Sequence, residues 1–391
     1  MNKLTLLAFG WALLLLLGAC STMDYALPPT PNASTSPATV QPSIETPIAP
    51  NGKSVYNVPV KDIKNAENIS VRPVSVPSEK DGEHVTVVNI IDADRLLMFT
   101  QDDDNFGTAI FYIYTISNGK WSKKLNLCED RYYYLRYVGE KYILFETSTF
   151  AYTYQEGALI LYDLEENTEK IIFSPYMEPP EDGSYIPTDR YESANNVVVW
   201  DEKVYFDDFY NTLSTLYAYD ISLGKLDILQ ENAMNPILYM NQIWYFIPDE
   251  TGVYSILTNG SESMKNEFNI GALVVSNDKL FTLRSMGEDT AVGYSLTGVF
   301  EWGAEQAIAE SRGGNVIYGL GGFGGFVFWL QSMPVQYNCV YDVLGNEIVE
   351  FSDWGTESAT VWGNNNVILL ATRSTEEDFR EEYFIIIPTE K

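Results

Sequence analysis

From about residue 54 to the C-terminus, apolar residues fall into short runs separated by tight polar turns, the pattern of strands joined as hairpins. Seven such hairpins can be drawn in order. They pair Val85–Ile91 with Arg95–Thr100, Tyr133–Val138 with Lys141–Thr147, Asn196–Trp200 with Lys203–Phe206, and Pro236–Met240 with Gln242–Ile247. The remaining three pair Ala272–Ser276 with Lys279–Arg284, Asn315–Leu320 with Gly325–Leu330, and Ala359–Trp362 with Val367–Thr372. Turns such as Asp92-Ala93-Asp94, Gly139-Glu140, Asp201-Glu202 and Asn277-Asp278 are short and polar, as hairpin connections require.

After each hairpin comes a more variable loop, a third strand and a further turn, as in Thr215–Ile221 followed by Leu223-Gly224. Fourth strands such as Lys170–Phe173 and Glu347–Phe351 end the unit. Second strands begin near residues 95, 141, 203, 242, 279, 325 and 367, a period of about forty residues. Strands at this density and period predict an all-β domain, a seven-bladed β-propeller with four-stranded blades. The chain ends before a fourth strand for the last unit, so Ile69–Val76 is expected to pair with that unit and close the ring from the N-terminal side. A β-sandwich pair or a six-unit ring is the alternative.

The first 53 residues follow another pattern. Lys3 precedes the apolar run Leu4–Leu17, which is too short for a comfortable membrane span. Leu17-Gly18-Ala19-Cys20 resembles the lipobox of bacterial lipoproteins. That resemblance implies a signal peptide over 1–19, removed before Cys20, with Cys20 then carrying palmitate-type acyl chains. Localisation follows: the cell membrane, lipid-anchored, on the extracytoplasmic side of the cell envelope. Two or more acyl chains hold a protein stably where one does not. Residues 20–53 are rich in Pro, Ser and Thr and read as a disordered tether that holds the 54–391 domain off the bilayer.

The repeats are similar to the loose blades of bacterial propellers of the TolB, PQQ-like and BamB-like kind. The likeness rests on a Tyr-Asp strand before a Gly turn, as in Tyr219-Asp220-Ile221-Ser222-Leu223-Gly224-Lys225. No WD dipeptide, kelch diglycine set or PQQ-type tryptophan docking motif recurs. The likeness is therefore one of architecture, and the BamB-like lipoproteins imply an assembly scaffold.

Charge narrows the partners. The net charge is −30, the wrong sign for displacing counterions from a nucleic acid and for lying flat on anionic lipid. It suits basic partners and cations. His84 is the single histidine, and the three cysteines, Cys20, Cys128 and Cys339, form no CxxC pair. Histidine-dependent catalysis and structural zinc are disfavoured. Cys128 and Cys339 fall in units one and six, which would not touch in a ring, and they are expected as separate thiols.

In a propeller, the loop after the second strand shares a face with the links between blades. Those segments supply the candidate binding face: Asp102, Asp103, Asp104, Tyr152, Tyr154, Asp207, Asp208, Tyr210, Tyr185, Glu288, Asp289 and Glu376. Carboxylates interleaved with aromatics suit a protein, peptide or glycan ligand. Asp102-Asp103-Asp104-Asn105-Phe106-Gly107 has calcium-like oxygen donors but lacks EF-hand spacing; no other cofactor is implied, and the metal question stays open. Gly319–Gly325 reads as a flexible hairpin turn, because no GK[ST] follows. No carboxylate pair stands out among 54 acidic residues. A binding or scaffold role is expected over an enzyme, the alternative being a carbohydrate-active or other carboxylate-dependent hydrolase with a central pocket.

Overall fold

The computed structural model describes residues 55–101, 109–127, 131–149, 158–174, 193–210, 213–248, 254–258, 263–265, 270–289, 294–304, 306–311, 316–332, 337–350, 360–364, 367–373 and 381–389. Its strands hydrogen-bond into seven small sheets, each built from consecutive antiparallel segments. Sheet one holds Glu79–Lys80, Glu83–Ile90, Arg95–Gln101, Ala109–Thr115 and Lys120–Lys124. Sheet two holds Arg131–Val138, Tyr142–Thr149, Ala158–Asp163 and Thr168–Phe173. Sheet three holds Ser193–Trp200, Lys203–Tyr210, Leu213–Asp220 and Lys225–Glu231, and sheet four Met234–Tyr239, Gln242–Pro248, Tyr254–Thr258 and Ser263–Lys265. Sheet five holds Ile270–Ser276, Lys279–Asp289, Tyr294–Glu301 and Ala307–Glu310. Sheet six holds Val316–Phe323, Phe326–Ser332, Tyr337–Asp342 and Glu347–Glu350; sheet seven holds Thr360–Asn364, Val367–Arg373 and Glu381–Pro388. The arrangement is all-β and propeller-like.

Each sheet is apolar on both faces, because both are covered. Leu97, Phe111 and Ile113 of sheet one pack on Ile143, Phe145 and Tyr162 of sheet two. Leu144 and Leu161 of sheet two meet Val204 and Phe206 of sheet three, whose Tyr205 and Leu216 meet Ile243 and Tyr245 of sheet four. Trp244 and Phe246 of sheet four pack on Leu273 and Leu280, and Phe281 and Val299 of sheet five on Trp329 and Tyr341 of sheet six. Phe326 and Val340 of sheet six meet Ile368 and Ile386 of sheet seven. Leu369 and Ile385 of sheet seven in turn bury Val87, Leu96 and Met98 of sheet one. The first long strand of every sheet also touches the first strand of the next, from Glu83–Ile90 through to Thr360–Asn364, which touches Glu83–Ile90.

The N-terminal segment does more than the sequence pattern suggested. Ile69–Val74 pairs antiparallel with Glu381–Pro388, Ile69 opposite Pro388 and Val74 opposite Tyr383. Upstream of it, Val55–Tyr56 adds an antiparallel fifth strand to Ala307–Glu310 of sheet five, and Val60–Asp62 adds a parallel fifth strand to Glu347–Glu350 of sheet six. Residues 55–74 are thus a belt along the outer edges of sheets five, six and seven. Asn57 N–H bonds to Ile308 O (2.9 Å), Ile348 N–H to Pro59 O (2.8 Å) and Thr389 N–H to Asn68 O (2.8 Å). Arg72 Nη2 reaches on to Ala93 O of sheet one (2.8 Å). The belt covers edge N–H and C=O groups that would otherwise be open to pairing with another chain.

Two local expectations need correction. Gly319–Gly325 is not a loop: Val316–Phe323 is a strand with a register shift between Tyr318 and Gly321, and the turn is confined to Gly324-Gly325. Glycine serves close approach here. A Cβ at Gly321 would collide with the Phe328 ring, and one at Gly322 would lie 2.7 Å from Val275 O on the first strand of sheet five. His84 lies within the first long strand rather than before it, exposed and opposite Glu79.

The Tyr-Asp signature has a mechanical basis. The aspartate at the end of the third strand folds the turn by accepting backbone N–H groups: Asp163 Oδ1 from Glu165 and Glu166, Asp220 Oδ1 from Leu223, Asp342 Oδ1 from Leu344. The residue five after the tyrosine sits at positive φ, Asn167 at 59°, Gly224 at 64° and Asn346 at 52°. Where it is Asn, its Oδ1 accepts the tyrosine hydroxyl, from Tyr162 at 2.6 Å and Tyr341 at 2.8 Å. Where it is Gly224, the buried Tyr219 hydroxyl has no partner.

Two outcomes follow for chemical denaturation. Gly224→Asn is expected to raise stability by about 1 kcal/mol, because Asn tolerates this φ and supplies the missing acceptor. Gly322→Val is expected to lower it by about 1–3 kcal/mol, because the added Cβ meets a backbone oxygen that cannot swing away. An unchanged midpoint for either variant would contradict the corresponding contact.

Candidate functional site

The loops expected to carry the site follow the second strands, so the ends of those strands are the described part of the candidate face. In every sheet the connection from second to third strand leaves from the end opposite the tight hairpin. Gln101 faces Ala109 across it, Thr147 faces Ala158, Tyr210 faces Leu213, Pro248 faces Tyr254, Asp289 faces Tyr294, Gln331 faces Tyr337 and Arg373 faces Glu381.

Toward this end the second strands change from apolar to polar while staying buried. Thr100, Thr147, Asp207 and Gln331 are all buried, as are Ser214 and Asn338 on third strands; Thr282 of sheet five is buried too, nearer the hairpin end of its longer strand. Buried polar groups need partners, and most here have them. Thr147 Oγ1 donates to Ala158 O, Ser214 Oγ to Asp208 O at 2.8 Å, and Arg284 Nε to Thr282 Oγ1 at 2.8 Å. In sheet two, Glu146 is buried against Arg136, whose Nε donates to its carboxylate at 2.6 Å. In sheet six, Gln331 Oε1 accepts the hydroxyl of Tyr56 from the belt at 3.2 Å, and the buried thiol of Cys339 lies beside both. Thr100 Oγ1 is without a partner.

Asp207 and Asp208 are the two predicted site residues whose side chains the structure describes. They are consecutive on Lys203–Tyr210, so their side chains point to opposite faces of sheet three. Asp207 is buried, and Ser214 Oγ approaches its Oδ2 at 3.4 Å. Asp208 is partly buried; its Oδ1 accepts Thr215 N–H at 2.7 Å and its Oδ2 accepts the Tyr217 hydroxyl at 3.0 Å. Burial pushes the Asp208 carboxyl above its ordinary range, and the bonds from Thr215 and Tyr217 pull against that shift.

The other predicted residues divide in two. Tyr210, Glu288 and Asp289 lie at the loop ends of their second strands, with Tyr210 opposite Leu213, Glu288 opposite Ser295 and Asp289 opposite Tyr294. Asp102, Asp103, Asp104, Tyr152, Tyr154, Tyr185, Glu376 and the lipidation residue Cys20 lie outside the described residues, as does Cys128. Cys339 is buried, with its thiol against Tyr56 and Gln331. Among the described residues, no three Asp, Glu, His or Cys side chains converge as a metal ion would require. Residues that sequence reasoning passed over are the buried Glu146 and Gln331 and the half-buried Arg284 on second strands, with Arg136 on the neighbouring first strand of sheet two. The available signal was a polar residue interrupting an apolar second strand at the same distance from its start in several units.

No family model and no curated protein matches the sequence. Among solved structures the chain is similar to an oligogalacturonate lyase in complex with manganese, at 10% identity over 87% of this chain and 98% of that one, with a TM-score of 0.47. It is similar to the β-propeller domain of the Trilobed protease from Pyrococcus furiosus, at 12% identity over 83% and 95%, TM-score 0.47. TolB from Acinetobacter baumannii matches at 11% identity over 78% and 80%, TM-score 0.38.

The Asp208 geometry sets a pH response. A carboxyl whose folded-state pKa is raised adds stability below its unfolded-state pKa, and that stability is lost as pH rises through the folded value. Relative to Asp208→Asn, the wild type is expected to lose melting temperature as pH is raised from the ordinary carboxylate range to neutrality. Parallel thermal melts of the two proteins check this, and a constant difference between them would contradict it.

Proposed function

We propose that this chain is an extracytoplasmic, lipid-anchored protein of the cell envelope, whose seven sheets are the blades of one closed propeller and whose loop end binds a protein, peptide or glycan. The ring reading is supported by the seven shared cores, the last of which joins sheet seven to sheet one, and by the pairing of Ile69–Val74 with the last strand of the chain. Acylation of Cys20 is supported by the Leu17-Gly18-Ala19-Cys20 sequence, and the 20–53 tether by its composition.

The observation that carries the binding role is the common exit of the second-to-third-strand connections from the end opposite the hairpins. On the ring reading the connections after the second strands share one side, and their sequences are rich in acidic and aromatic residues; the strand ends they leave carry buried polar residues, most of them hydrogen-bonded. A rigid base beneath charge-rich loops suits recognition, since loops on a fixed scaffold are where binding residues concentrate. At a net charge of −30, the partner surface is expected to be basic or to be reached through hydrogen bonds and stacking, as a sugar is.

The test uses the full chain expressed in membranes. Cys20→Ser is expected to move the protein from the membrane to the soluble fraction. The Asp102→Ser, Asp103→Ser, Asp104→Ser triple variant is expected to keep its membrane location while recovering its partner several-fold less well in a crosslinked pull-down. Equal recovery removes this loop from the site. Hydrolysis of a glycoside that Asp208→Asn abolishes would replace the binding role with a carboxylate-dependent hydrolase.

A further inference from the structure

The hairpin that ends sheet six brings two carboxyl groups together under the belt. Asp342 and Glu347 are direct cross-strand partners on either side of the turn Val343–Asn346. Cross-strand neighbours stand about 4.5–5.5 Å apart at Cβ, near enough for their side chains to meet. Both residues are buried, at 2% and 4% exposure. One oxygen of each, Asp342 Oδ2 and Glu347 Oε1, has no hydrogen-bond partner. Two buried carboxylates with an orphaned oxygen apiece are costly, because like charges that share a dry site disfavour joint ionisation.

The groups around the pair come from three elements. The belt contributes Lys61, whose Nζ lies 2.8 Å from Glu347 Oε2, together with Glu67 farther off and the side-chain amide of Asn68. The turn contributes backbone N–H groups of Leu344 and Gly345, which bond to Asp342. The third strand contributes Tyr341, whose hydroxyl is pushed up to about 12 by burial and then by the nearby Glu301 and Asp342, so it stays neutral. One ammonium therefore faces two carboxyl groups, and the set carries one negative charge too many unless a proton is bound.

We propose that Asp342 and Glu347 hold a single proton between them, and that this proton clasps the belt onto sheet six. The proton sits on Asp342 Oδ2 and is donated to Glu347 Oε1, joining the two atoms that otherwise lack partners. Glu347 keeps its bond to Lys61. Belt docking buries the pair, and burial raises the Asp342 carboxyl above its ordinary range, with Glu347 adding to the rise and Asn68 opposing it. Docking therefore takes up a proton, so by linkage it is strongest below the Asp342 titration and weakens as pH rises through it. Because residues 55–62 join the domain to the tether, the clasp sets how far from the ring the tether is rooted at a given pH.

The experiment is hydrogen exchange of the full chain from about pH 4, in the ordinary carboxyl range, to about pH 8, corrected for intrinsic exchange. The reporters are the belt-docking amides of Asn57, Ile348 and Thr389. Their protection in the wild type is expected to fall severalfold as pH rises, while amides of sheet three do not change. Asp342→Asn supplies a permanent donor toward Glu347 and is expected to hold protection constant with pH. Glu347→Gln should likewise flatten the profile, although its belt is looser throughout because Lys61 loses its ion pair. Infrared spectroscopy supplies a second reading, a protonated-carboxyl stretch in the wild type that disappears in Asp342→Asn. A flat wild-type profile, or a slope retained in Asp342→Asn, overturns the proposal; so does absence of the carboxyl band.

Discussion

Everything in this molecule depends on the burial of two apolar faces per sheet. A single four-stranded sheet of this size is marginal in water, since strands need a covered face to be stable. Here every sheet lends one face to the sheet before it and the other to the sheet after it. Leu96 and Leu97 of one strand show the division: Leu97 packs on sheet two and Leu96 on sheet seven. Fully burying each such side chain is worth about 1.5–3 kcal/mol. No sheet stands alone, and removal of any one would strip two neighbours.

The same requirement explains the outer edges. Covering both faces leaves the edge strands of each sheet, the outer one among them. On sheets five, six and seven the outer strands are paired with the belt, so backbone groups that could recruit other chains are satisfied within the molecule. Sheet one uses a different device, a lysine-rich outer strand, Lys120–Lys124. The outer strand of sheet three, Lys225–Glu231, has a register shift near its C-terminal end, a bulge of the kind that twists an edge away from regular pairing. The belt brings charge as well as backbone, and Lys61 over Glu347 is the clearest case.

The proposed binding face begins where the composition of the second strands changes. Apolar side chains fill the middle of the second strands, and Thr100, Thr147, Asp207 and Gln331 replace them toward the loop end. A buried polar layer of this sort holds strand ends in fixed positions through directional bonds, where an apolar layer would let them slide. Asp208, tied by Thr215 and Tyr217, is both part of that layer and partly open to solvent.

The hydrophobic periodicity alone determined the strands and their order within each unit, because period-two burial and tight polar turns are local properties; the pairing of Ile69–Val74 with the last strand came from a different signal, the fourth strand that the last unit lacks. It also carried the concentration of acid and aromatic residues in the loops after the second strands. Only the tertiary structure decided that Val55–Tyr56 and Val60–Asp62 are strands, since two- and three-residue segments have no periodicity to read and take their conformation from the edge they join. It likewise decided that Gly319–Phe323 is a strand, because what glycine accommodates there, the Phe328 ring and Val275 O, comes from other strands. The meeting of Asp342, Glu347 and Lys61 belongs to the same class: residues nearly three hundred positions apart acquire a shared charge balance only when the chain is folded.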